Sequence, residues 1–271
     1  MRRDERMQAL RRDYDRRRVN DIKELADAGI SVEFRSNPFR ALERRFIVAS
    51  SARTGSHLLC ERLLNYDLKV GESLLQNQIL RKCAKTAGRR LEAYCTALLA
   101  TDAPRGAFGT KGFTKLLAPL ILAGEFPHFC QEWNFIHLSR LDTLKQAISY
   151  VIAEQTSSWR SYKAPAKTLG DGDFDAARIA RAKTALERRN KQWNDTFLLF
   201  GIHPLRINYE QLAADPDEVA AQVAGFVGVA SWARPRRDKT TLQPQATELN
   251  ARWEDMFLNL SSVAGEGEPC S

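Results

Sequence analysis

Phe46-Ile47-Val48-Ala49 is an apolar run long enough for a buried strand, and a polar loop, Ser50 to Gly55, follows it at once. From Ser56 the apolar positions take helical spacing, with Leu58, Leu59, Leu63 and Leu64. A strand that runs through a short loop into a helix opens a parallel α/β unit. The rest of the chain keeps alternating in this way. Leu68-Lys69-Val70 reads as a second short strand ending at Gly71-Glu72, a basic helical stretch follows over about 73 to 100, and Ala107 to Gly112 is a third strand candidate. Trp133 to Leu138 is a fourth strand, and Leu141, Leu144, Ile148, Val151 and Ile152 mark an amphipathic helix after it. Residues 161 to 173, rich in Lys, Gly, Pro and Asp, read as a loop. A long helix over about 174 to 200 carries the stripe Ile179, Ala182, Leu186, Trp193, Phe197 and Phe200, and Gly201 with Pro204 ends it. Leu205 to Asn208 is the last strand, and Asp215-Pro216 caps a helix reaching about 227. The expected fold class is α/β, a single-domain parallel β-sheet flanked by helices.

Residues 1 to 45 are expected to form a charged helical N-terminal extension, 46 to 264 the main domain, and Gly265 to Ser271 a disordered tail. The extension crowds Arg11, Arg12 and Arg16 to Arg18 beside the apolar Met7, Leu10, Tyr14, Ile22 and Leu25. It suits a solvated helix on the domain edge better than a contact with anionic lipid. It has no apolar segment of the kind a secretory signal needs, and no 18-residue apolar run occurs in the chain. The five cysteines, Cys60, Cys83, Cys95, Cys130 and Cys270, form no Cys-x-x-Cys pair, so zinc and thioredoxin-like readings lack support. Free thiols in a reducing, cytoplasmic setting are the simplest reading. The net charge of +8 favours anionic partners without choosing among nucleotides, sulfated sugars, nucleic acid and lipid.

Ser50-Ser51-Ala52-Arg53-Thr54-Gly55-Ser56-His57 lies between a buried strand and a helix N-terminus. There, unpaired backbone N–H groups and the positive helix end converge on one spot, which suits a phosphate or sulfate. Arg53 adds a fixed charge, Gly55 permits close backbone approach, and the Thr54 and Ser56 hydroxyls add donors. The loop is neither a Walker A motif nor a Gly-x-Gly-x-x-Gly fingerprint, and the same residues would also serve an ordinary polar βα turn. Arg140 sits just past a strand's C-terminal end, where open α/β sheets bind ligands, and Ser149 lies about two turns into the next helix. Taken alone, an Arg after a strand and a Ser in a helix are common.

Together these segments resemble the sulfotransferase superfamily, and in detail its bacterial trehalose-type carbohydrate family, which also takes in lipopolysaccharide and nodulation-factor enzymes. The resemblance runs from about Phe46 to Trp253. It includes Arg53-Thr54-Gly55-Ser56, Gly71-Glu72, Gly109-Thr110-Lys111, Arg140, Asp142, Gln146-Ala147, Ser149 nine residues after Arg140, Gln155-Thr156, Trp159-Arg160, Trp193, Tyr209, Gln245-Ala246 and Trp253. It implies a P-loop-like sulfotransferase fold and 3′-phosphoadenosine 5′-phosphosulfate (PAPS) as sulfo donor. The loop Arg53, Thr54, Gly55, Ser56 and His57 would hold the 5′-phosphosulfate, and Arg140 with Ser149 the 3′-phosphate. One departure stands out: trehalose enzymes read Gly-Glu-Pro-x-Glu after the second strand and use the second Glu as base, whereas here that position is Leu75.

On this reading Arg53 and Glu72 are the catalytic candidates. Arg53 would stabilise the leaving phosphate, and Glu72 would take the acceptor proton. An exposed loop carboxylate is the plainer account of Glu72. Lys111, Gln155 and Trp159 are the substrate-binding candidates, against an ordinary surface Lys and a core Trp. His57 would face the sulfate or be structural, and His137 reads as a core histidine. No metal is expected. The acceptor would be a carbohydrate or glycolipid, with peripheral contact to anionic membrane and a homodimer as further expectations, and with no nucleic acid partner. A P-loop-like kinase shares the strand–loop–helix opening but would need Gly-Lys-Ser/Thr and a metal-binding Asp. A non-catalytic nucleotide- or nucleic-acid-binding module would use the basic N-terminus and the Arg234, Arg236, Arg237, Lys239 cluster, which no nucleic-acid motif accompanies.

Overall fold

The computed structural model describes residues 3–72, 74, 76–86, 88–103, 106–112, 118–125, 130–159, 166–229 and 247–265. Five strands, β1 (Arg44–Ser50), β2 (Val70–Gly71), β3 (Ala107–Gly112), β4 (Asn134–Ser139) and β5 (Leu205–Asn208), form one sheet in the order β2-β3-β1-β4-β5. Every neighbouring pair is parallel. The chain leaves β1 toward β2 and β3 on one side, then crosses to β4 and β5 on the other. The order therefore reverses at β1, and in an open parallel sheet that reversal opens a crevice beyond the strands' C-terminal ends.

The helices are α1 (Arg3–Asp27), α2 (Ser56–Leu63), α3 (Gln76–Thr86), α4 (Leu91–Asp102), α5 (Ala118–Leu122), α6 (Thr143–Thr156), α7 (Ala176–Phe200), α8 (Tyr209–Ala214), α9 (Pro216–Phe226) and α10 (Glu248–Gly265). Strand side chains alternate between two cores. Ile47 and Ala49 enter one with Phe108, Phe135, Trp193 and Phe197. Phe46 and Val48 enter the other with Leu59, Leu63, Ile136, Leu138 and Val223. A third cluster joins α6, α7 and α10 through Ile148, Val151, Ile179, Leu186 and Trp253.

Several elements differ from the sequence expectation. The stretch over 73 to 100 is two helices, because Gly88 (φ 57°) and Arg89 (φ 60°) both turn left-handed and Arg90 bridges to Ser31. Helices α8 and α10 fall where no helix is expected from the sequence. The α1 helix carries nearly balanced charge, with Asp13 pairing Arg16 and Arg17. It also buries Tyr14 and Leu25 in the same core as Ile47. Two buried carboxylates fasten the segment after it. Glu92 accepts from the Arg35 and Ser36 amides and the Ser36 hydroxyl, and Glu125 accepts from Asn37, Arg45 and the Trp133 indole. These hydrogen bonds hold the Glu92 carboxyl below its ordinary value. The basic cluster 234–239, Gln245, Ala246, Arg160, Leu75 and the tail 266–271 lie outside the described residues. No described helix is long and apolar enough to cross a membrane.

Packing between β3 and β1 depends on a missing side chain. A Cβ at Gly109 would clash with Phe46 Cζ, and the two residues are partners across the β1–β3 pair. Overpacking of this kind costs about 1–3 kcal/mol. Gly109→Ala is expected to lower the unfolding free energy by that amount, seen as a lower urea midpoint with an unchanged m value; an unaltered midpoint would place Phe46 elsewhere.

Candidate functional site

Two groups of polar side chains line the C-terminal edge of the sheet. The first surrounds the loop between β1 and α2. Arg53 takes a left-handed backbone (φ 64°), as does Gly55 (φ 79°), which caps α2. A non-glycine residue in that region costs about 1–2 kcal/mol, so neighbouring contacts must fix the turn. Gln146 of α6 supplies two of them, donating from Nε2 to Ser51 Oγ at 3.0 Å and to the Ala52 carbonyl at 2.6 Å. Ser51 Oγ in turn donates to Asn190 Oδ1 of α7 (3.2 Å), and Thr54 Oγ1 donates to the Ser51 carbonyl (3.1 Å). Ser51, Thr54 and Gln146 are fully buried. Thr54 thus spends its hydroxyl proton inside the loop.

The shape of the turn brings Arg53 beside Ser149 and Arg140. Arg53 Nε donates to Ser149 Oγ at 2.9 Å, and Arg140 NH1 donates to the Arg53 carbonyl at 3.4 Å. Burial first, and the nearby Arg140 charge second, lower the Arg53 guanidinium to about 10, so it stays protonated at neutral pH. Arg140 Nε is buried and has no hydrogen-bond partner among the described residues. Two guanidinium groups this close, one with an orphaned donor, suit an anion: an oxyanion supplies acceptors and cancels the like-charge repulsion. The free α2 amides add donors at the same place, since no side chain caps this helix.

The second group lies at the ends of β2 and β3. Lys111, only 3% exposed, donates from Nζ to Glu72 Oε1 at 2.8 Å and approaches His57 Nδ1 at 3.2 Å. The other His57 nitrogen, Nε2, is 3.6 Å from Glu72 Oε1. A lysine buried this deeply needs such a partner to stay charged. The three residues open into a cavity of about 340 Å³, which Cys60, Val70, Gln78 and Lys82 also line. Burial pushes the Cys60 thiol up to about 11, so it presents a neutral S–H. The volume admits a sugar-sized molecule beside a carboxylate, an imidazole and an ammonium.

The sequence candidates divide between the two groups. Arg53, Thr54, Gly55, Ser56, Arg140 and Ser149 gather at the first, and Glu72, His57 and Lys111 at the second. Gln155 and Trp159 are not among the described residues that line the cavity. Gln155 Nε2 donates to the Asp173 carbonyl at 3.5 Å, and the Trp159 ring packs edge-on against Tyr150. The Trp159 carbonyl accepts from Arg53 NH1 at 3.3 Å, so Trp159 stands by the arginine pair. His137 is buried in β4 and accepts from Arg206 NH1 at 3.0 Å; burial, then the Arg206 charge, depress it to about 4. Sequence reasoning missed Asn190 and gave Gln146 no role. A buried amide in an otherwise apolar helical stripe was the signal for Gln146. Among the described residues, no group of three or more His, Cys, Asp or Glu is placed to hold a metal ion.

Residues 127–259, just under half of the chain, match a family model described as Stf0 sulphotransferase. That stretch contains Arg140, Ser149 and Gln146, while Arg53, Glu72 and Lys111 precede it. A trehalose 2-sulfotransferase of Mycolicibacterium smegmatis is 27% identical over 122 residues, which is 45% of this chain and 44% of that protein. One of Mycobacterium tuberculosis is 28% identical over 123 residues, 45% of each. The chain thus spans less than half the length of the curated relatives it matches. Among solved structures, a sulfotransferase from Alicyclobacillus acidocaldarius is similar at 16% identity and a TM-score of 0.48, over 80% of this chain and 92% of that one. Over its C-terminal half the chain is thus similar to Stf0 sulphotransferases, and over 45% of its length to two mycobacterial trehalose 2-sulfotransferases.

Proposed function

We propose that this protein is a PAPS-dependent sulfotransferase that transfers a sulfo group to a hydroxyl of a carbohydrate or glycolipid. The observation that carries the reading is the Arg53–Ser149–Arg140 group at the sheet's reversal point, with the Arg140 Nε donor buried and unpartnered among the described residues. A metal-free anion with several acceptor oxygens fits that donor set. The trehalose 2-sulfotransferase relatives favour sulfo transfer over the phosphoryl transfer of a P-loop-like kinase. Residues 46–264 would be the sulfotransferase domain, with 1–45 an extension whose α1 packs on it.

When bound, PAPS would supply the sulfo group. Arg140 and Ser149 would hold its 3′-phosphate, and Arg53, Gly55, Ser56 and the α2 amides its 5′ end. Arg53 would then stabilise the charge that builds on the leaving phosphate. On the acceptor side Glu72 would accept the hydroxyl proton, with Lys111 fixing the carboxylate and His57 flanking it. Positioning and electrostatics account for the rate without a covalent intermediate on the protein.

The donor half predicts discrimination by the 3′-phosphate. Adenosine 3′,5′-bisphosphate should bind at least about 10-fold more tightly than 5′-AMP, the loss of one charge-assisted contact being worth about 1.5–3 kcal/mol. Calorimetric titration checks this, and equal affinities would remove the assignment of Arg140 and Ser149. The acceptor half predicts that Glu72→Gln loses about 100-fold or more in turnover with nucleotide affinity unchanged. Single-turnover transfer from labelled donor measures it; a near-wild-type rate would move the base elsewhere, with His57 next.

A further inference from the structure

The β5–α8 corner plays no part in the chemistry above, yet it touches both sides of the anion site. Tyr209, the first residue of α8, lies beneath the Arg140 guanidinium, whose central carbon is 4.5 Å from the ring centroid. The same ring abuts Gly55: a Cβ built there would come within 2.7 Å of Tyr209 Cδ2. One aromatic ring is therefore wedged between the glycine that turns the loop into α2 and the arginine that follows β4. The next residue reinforces the arrangement. The Glu210 carboxylate accepts from the Leu141 and Asp142 amides, at 3.2 and 3.4 Å, and so holds the chain just after Arg140 against α8.

The Arg140 side chain has few other constraints. Its NH1 reaches the Arg53 carbonyl at 3.4 Å, a long contact, and its Nε has no partner among the described residues. A guanidinium so loosely hydrogen-bonded and repelled by Arg53 would lose its orientation without a surface to lie on. A ring face supplies attraction to the cation and a fixed plane, leaving the edge donors free for a ligand.

We propose that Tyr209 is a positioning residue: its ring sets the plane of Arg140 and the spacing between Arg140 and the Gly55 turn, and so presents Arg140 edge-on to the 3′-phosphate. The inference rests on the donor reading above. It assigns the role to the ring and not to the hydroxyl, and it separates the loop's cation, Arg53, from a second cation that is aimed by stacking.

The test is a double-mutant cycle read by calorimetric titration with adenosine 3′,5′-bisphosphate and with 5′-AMP. It uses the full chain, and thermal melting confirms folding. Tyr209 is half-buried, and Tyr209→Met keeps similar apolar bulk without a ring face. Tyr209→Met should weaken the bisphosphate about 10-fold while leaving 5′-AMP within about 2-fold, and Tyr209→Phe should match the wild type for both. In an Arg140→Ala background Tyr209→Met should cost nothing further, because the group it aims is gone. The inference is overturned if Tyr209→Met keeps the bisphosphate affinity, if its loss persists without Arg140, or if Tyr209→Phe loses as much as Met. The Phe arm decides between ring and hydroxyl even if the Met variant does not fold. Failure of the donor reading looks different: the wild type itself would then not distinguish the two nucleotides.

Discussion

The turn from β1 into α2 has to close within five residues, place a non-glycine residue in a left-handed conformation and keep the α2 amides uncapped. None of this is favourable locally. A left-handed Arg53 and a helix end without a side-chain cap both cost free energy that the turn itself does not recover. The stabilisation comes from residues far along the chain. Gln146 and Asn190 hold Ser51 and Ala52 from α6 and α7, and Tyr209 packs on Gly55 from α8. Strand order explains how they reach. With β1 central and the chain reversing beside it, the elements that follow β4 and β5 must return over the end of β1.

The charge distribution follows from the same geometry. Beyond β1 and β4 the site gathers two guanidinium groups with no carboxylate hydrogen-bonded to either among the contacts described, an arrangement that an oxyanion would neutralise. Beyond β2 and β3 the buried Lys111 is matched by Glu72, and the cavity they open into has hydrogen-bonding walls that also include Gln78 and Lys82. His57, one residue into α2, stands where the halves meet, since its helix starts at the anion loop and its ring faces Lys111 and Glu72.

Much of this was legible in the sequence. The apolar run at Phe46 to Ala49 and the change of period at Ser56 gave β1, the loop and α2, and Ala107 to Gly112 and Leu205 to Asn208 match β3 and β5 residue for residue. Arg53, Glu72 and Arg140 could be picked out because each follows a strand end. What was not legible depends on contacts across the chain. The division between α3 and α4 comes from two consecutive left-handed residues, Gly88 and Arg89, and from a bridge to Ser31 that no local pattern announces. Nor does local pattern announce that the Trp159 carbonyl accepts from Arg53 or that the Gln155 side chain donates to the Asp173 carbonyl. Helix α10 was legible too: Leu249, Trp253, Met256 and Phe257 have helical spacing and pack in one cluster, a pattern that was passed over.

The central claim is that the crevice beyond β1 and β4 is a nucleotide site built on two arginines held by the fold. A crystal structure of the protein with adenosine 3′,5′-bisphosphate tests it most directly. The account predicts the 3′-phosphate within hydrogen-bond reach of Arg140 and Ser149, the 5′-phosphate on the amides that begin α2, and Arg140 still lying on Tyr209. A nucleotide bound away from the end of β1, or one whose 3′-phosphate makes no contact with Arg140, would contradict it.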